Sequence, residues 1–171
     1  MFIYSLPLLF NLTDFGSPLE LLIIFATLFA VLHLSAPIMD EELEDKPFNY
    51  PLYQYMLYVW TGRLALWRVF WPFFLILNLG LFGADYAVRV GEISVSSWDD
   101  VHIMLVVFGI IWTVGVWRNS INSQSRTWVA YARLMTLAMF FEFGIKIFLR
   151  MEYPRILFNC VDRILDYLVC F

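Results

Sequence analysis

Residues 128–150, WVAYARLMTLAMFFEFGIKIFLR, form an apolar run long enough to cross a bilayer, yet Glu142 sits well inside it. Crossing the hydrocarbon core takes about 20 apolar residues in a helix. Within that depth an ionisable side chain costs roughly 2.5–3.5 kcal/mol on insertion scales, so a buried carboxylate needs a partner. Lys146 follows four residues later, and a Glu then Lys pair at that spacing shares one helix face. Two roles for Glu142 follow: a structural pin held by an ion pair or interhelical hydrogen bond, and a proton or ion relay.

The remainder of the chain agrees with a membrane setting. Hydrophobic side chains make up 61% of the 171 residues and aromatics 19%, against the roughly 45–50% apolar share of an ordinary soluble domain. The sequence therefore predicts an all-α integral membrane protein, a four-helix bundle in a single domain over 1–171. Its spans are expected at 21–39, 64–84, 101–117 and 128–149, with an amphipathic interfacial helix at 152–171. Asp14, Gly16, Pro18 and Glu20 mark the start of the first span, and Pro37 with the acidic run Asp40, Glu41, Glu42, Glu44 and Asp45 marks its end. Ala26 with Ala30, and Gly109 with Thr113, are small pairs at four-residue spacing where another helix can approach. Pro72 is expected to bend the second span near its start. Residues 85–100 read as a short polar loop and 118–127 as a polar hairpin connection. In the tail, Asn159, Asp162, Arg163 and Asp166 form one narrow polar stripe.

Several functions are disfavoured by what the residues can hold. The net charge of -4 comes largely from the acidic run, and no basic surface follows a phosphate backbone, so nucleic acid is not an expected partner. Cys160 and Cys170 would lie about 15 Å apart along a helix, too far for an internal disulfide. No metalloprotease, phosphate-loop or catalytic-triad pattern is evident. His33 and His102 are placed near opposite surfaces, His102 as an interfacial residue, so one haem iron could not join them. No cofactor or metal is expected. An intramembrane lipid-acting enzyme would call for acidic side chains buried in two helices, and only Glu142 is placed deep.

Arg63, Trp67 and Trp71 recur at four-residue intervals and are expected on one helix face. With Trp117, Arg118 and Trp128 they would make an interfacial belt of Arg and Trp. The segments Trp60-Thr61-Gly62-Arg63, Gly115-Val116-Trp117-Arg118-Asn119-Ser120 and Trp128-Val129-Ala130-Tyr131-Ala132-Arg133 resemble motifs in a group of small, uncharacterised bacterial inner-membrane proteins. There W-x-G-R/K opens one helix, G-V-W-R-S/N closes another and W-x-x-x-A-R/K opens the next. The likeness covers roughly 60–139; it implies a bacterial inner membrane and puts both Arg-containing motifs on one face. With no Lys or Arg before the first span, the positive-inside rule then places both termini in the periplasm.

The expected function is a non-enzymatic, membrane-embedded accessory or structural subunit of a larger inner-membrane complex, whose partners are the lipid bilayer and other membrane subunits or further copies of itself. The alternative is a small oligomeric channel or proton-coupled transporter, with Asn78, Arg133, Glu142 and Lys146 as its candidate polar path.

Overall fold

A computed structural model of the chain describes residues 7, 10, 17–37 and 51–153. The acidic run, the two cysteines and all but the first two residues of the expected tail helix lie outside the described residues. The architecture is all-helical: α1 Pro18–Leu34, α2 Leu52–Thr61, α3 Leu66–Val90, α4 Val95–Asn119, a 3₁₀ turn Ser120–Asn122, and α5 Arg126–Glu152. Among the described residues two helices are long and apolar enough to cross a membrane, α3 and α4 with its 3₁₀ extension. At 25 residues each, α3 and α4 run about 37 Å. The 17-residue α1 is apolar but shorter, and α5 carries Arg126, Arg133, Glu142, Lys146, Arg150 and Glu152 along its length.

Capping chemistry sets most of these boundaries. Ser17 and Glu20 make a reciprocal capping box, with Pro18 opening α1. Gly62 and Gly91 end α2 and α3 in the left-handed region, at φ 75° and 85°, where a side chain would be strained. Ser94 and Ser125 accept backbone N–H bonds from Ser97 and Trp128 to start α4 and α5. The helix ends differ from the expected span ends. The first helix spans 18–34 rather than 21–39. The second and third run through 90 and from 95, so the turn shrinks from 85–100 to 91–94. The last runs from 126 to 152. Arg63 stands before α3, whose N-cap is Ala65, and therefore does not continue the Trp67 and Trp71 helix face.

α3, α4 and α5 pack as a serpentine of neighbours, α1 lies along α5, and α2 closes one end against α4. Phe25 meets Phe141 edge-on, and Ala36, just past α1, joins the main core. The main core is Phe70, Leu77, Leu81, Trp112, Val116 and Met139, all at most 2% exposed. Gly115 admits Val59 and Val69, and Gly109 admits Met139, at distances that a Cβ would violate. Within α1, by contrast, Ala26 and Ala30 face away from α5 and are exposed.

Pro72 lies inside α3 and has no N–H to give the carbonyl four residues back. That carbonyl, of Arg68, instead accepts a 3.0 Å bond from the hydroxyl of Tyr55 in α2. Burial pushes the Tyr55 phenol pKa up from its ordinary value of 10.0, which keeps it a donor at neutral pH. At the same end Asn119, fully buried, accepts from the Leu64 N–H at 2.7 Å and donates to the Val59 and Gly115 carbonyls. Asn122 donates to the carbonyls of Gly62 and Leu64. The α2–α3 turn is thus sewn to the end of α4 through its backbone.

Candidate functional site

Glu142 and Lys146 share a face of α5, as their spacing predicts, and both are buried, at 0% and 3% exposure. Their nitrogen to oxygen distance is 3.8 Å. The closer partner of Lys146 is Asp85, in the last turns of α3, whose Oδ2 accepts from Nζ at 2.6 Å. Asp85 Oδ1 accepts from the indole N–H of Trp98 at 3.0 Å. His102, one turn further along α4, donates from Nδ1 to the Trp98 carbonyl at 2.9 Å. That bond turns the Nε2 lone pair to Lys146 Nζ, 3.3 Å away, and Nε2 stands 3.8 Å from Asp85. The Trp98 and His102 rings lie 3.8 Å apart, and Phe143 meets His102 edge-on.

Three helices therefore bring two carboxylates, one ammonium and one imidazole together at the Gly91 end. A cavity of about 250 Å³ opens beside them between α4 and α5, with Trp98, His102 and Lys146 at its inner side. Across its outer rim Arg150 donates to Asp99 at 3.3 and 3.4 Å. Among the described residues, no group of three or more His, Cys, Asp or Glu side chains has metal-holding geometry. The cluster's chemistry is that of ion pairing and proton exchange: Lys146 and the imidazole can pass a hydrogen bond between them, and Asp85 holds the ammonium in place.

Of the four expected polar-path residues, Arg133 and Asn78 do not join Glu142 and Lys146. Arg133 lies thirteen residues before Lys146 on α5, about 20 Å along the axis, with Met139 packed into Gly109 in between. It stacks on the Trp117 ring at 4.7 Å and donates to Ser120 Oγ at the end of α4, where a cation faces the negative helix terminus. Asn78 is half-buried and donates to the Phe74 carbonyl of its own helix at 2.7 Å.

The expected Arg and Trp belt is assembled through different pairs. Arg118 lies over Trp60 at 4.9 Å and donates to its carbonyl, Arg68 lies over Trp67, and Trp71 stacks on Trp128 at 6.2 Å. Arg63 takes no part in these stacks.

Sequence reasoning missed Asp85, Trp98 and Asp99, and it placed His102 at the interface rather than in a buried cluster. With residues 85–100 read as loop, Asp85, Trp98 and Asp99 fell outside the bundle. Gly91 followed by Ser94, a helix stop and a helix start three residues apart, was the signal that puts them in helices. Asp85 also supplies the second buried acid, on a different helix from Glu142, although both its oxygens are engaged by Lys146 and Trp98. In comparisons with protein-family models, curated proteins and solved structures, nothing matches the chain.

Proposed function

We propose that the chain is a multi-pass membrane protein, with α1, α3, α4 and α5 forming a four-helix bundle through the bilayer, and that it serves as a non-catalytic subunit of a larger assembly. The resemblance noted above favours a bacterial inner membrane, and the positive-inside rule favours periplasmic termini. The observation that carries the reading is the outward face of these helices. Leu22, Leu79, Ile103 and Ile147 are 68%, 69%, 66% and 56% exposed, while Asp85, His102, Arg133, Glu142 and Lys146 turn inward. That is the inverse of a water-facing bundle. The Ala26 and Ala30 pair on the outer face of α1 gives a neighbouring helix close access.

The test has two steps. Membranes carrying the protein are washed with alkaline carbonate and then solubilised in mild detergent for native purification. Release by carbonate alone would overturn the membrane placement. A stable monomer with nothing co-purifying would overturn the subunit role.

A second reading, a proton-coupled transporter, draws support from the Asp85, His102, Glu142 and Lys146 cluster, because buried ionisable groups beside a cavity are costly unless used. Proton flux in proteoliposomes should fall in Glu142→Gln and in Asp85→Asn. Unchanged flux in both would remove the relay.

A further inference from the structure

The cavity between α4 and α5 changes character along its length. Its rim, level with the start of α4 and the end of α5, carries the Asp99 and Arg150 ion pair, and the side chains of Arg150 and Asp99 remain 31% and 40% exposed. Three to seven residues further along α4 and α5, about 5–10 Å deeper, the walls are Ile103, Val106, Phe143 and Ile147. Ile103 and Ile147 are also strongly exposed outward, so the groove opens sideways to whatever surrounds the bundle.

A charged zone at the helix ends above an apolar slot has the polarity profile of one bilayer leaflet. The whole cavity, rim included, measures about 250 Å³, the volume of roughly eight waters, so its apolar part admits a length of one hydrocarbon chain and neither a whole lipid nor a protein segment. The rim pairs one cation with one anion, which a singly charged headgroup cannot match on both sides. A headgroup with a phosphate and a primary ammonium can, the phosphate toward the Arg150 guanidinium and the ammonium toward the Asp99 carboxylate.

We propose that this groove is a binding site for one zwitterionic, ethanolamine-type phospholipid, one acyl chain lying between α4 and α5 and the headgroup spanning Asp99 and Arg150. The inference rests on the membrane placement above and goes beyond it.

The purified protein is reconstituted into nanodiscs holding equal amounts of phosphatidylethanolamine, phosphatidylglycerol and phosphatidylcholine, then transferred to native mass spectrometry, with flotation on vesicles run on the same preparation. The expected result is one retained phosphatidylethanolamine. Arg150→Gln should weaken retention about tenfold, the worth of one charge-assisted contact. Asp99→Asn should abolish the preference over phosphatidylglycerol. Ile103→Trp, at an outward position that does not bear on folding, should displace the chain while the ion pair stays intact. No retained lipid, equal retention of the three lipids, or variants that retain lipid as the parent does would each overturn the site. Failure to float would instead overturn the membrane placement.

Discussion

Lys146 Nζ lies 2.6 Å from Asp85 and 3.8 Å from Glu142, and in an interior where water is scarce each of these contacts sets the cost of the others. Removing one partner of a buried ion pair leaves an uncompensated charge and typically costs 3–5 kcal/mol, whereas removing both is far cheaper. Lys146→Met should therefore destabilise the bundle by about 3 kcal/mol or more. The double variant with Asp85→Asn should cost clearly less than the two single changes added together, as read from denaturation of the detergent-solubilised protein. Strict additivity would mean that the pair does not couple. Tyr55→Phe poses a smaller question of the same type. Losing the hydroxyl leaves the Arg68 carbonyl without that donor, a loss of about 1 kcal/mol in the same assay.

Glycines that admit neighbours differ by what they admit, and that difference belongs to the packing of elements. A Cβ on Gly115 would come within 2.7 and 3.1 Å of Val59 and Val69 methyls, which are stiff at χ1. On Gly109 it would press on the tip of Met139, which can swing aside. Gly115→Ala should cost about 1–3 kcal/mol and Gly109→Ala measurably less; equal costs would show that α2 yields as readily as a methionine tip. At this scale the sequence was partly legible. The pairing of Glu142 with Lys146, the burial of that face of α5 and the presence of the three long helices α3, α4 and α5 followed from periodicity and length. Asp85 did not, because an apolar-run criterion stops at the first carboxylate. Only the caps at Gly91 and Ser94 reveal that the helices continue past it. The partner of a buried charge is a tertiary fact, decided by which turns of α3 and α4 face α5.

A bundle that turns Asp85, Glu142 and Lys146 inward and leaves Leu22, Leu79 and Ile103 exposed is suited to a surrounding medium that is itself apolar. Leu79, midway along α3 and 69% exposed, gives a direct test. Leu79→Lys on a water-facing surface would change stability by no more than about 0.5 kcal/mol, but in a spanning helix it costs roughly 2.5–3.5 kcal/mol of insertion. A glycosylation-based insertion assay on α3 should show the inserted fraction fall sharply. An unchanged fraction would argue for a soluble bundle. The stitching of the α2–α3 turn has its own consequence, in time rather than in energy. The Leu64 N–H and the carbonyls of Val59, Gly62 and Leu64 wait for Asn119 and Asn122, whose sequence separations from them run from 55 to 60 residues. As the chain leaves the ribosome, the α2–α3 turn is made well before the side chains that fasten it. Its polar backbone must meanwhile bond to water, so folding ends with a latch that closes only when α4 and the 3₁₀ turn after it are complete.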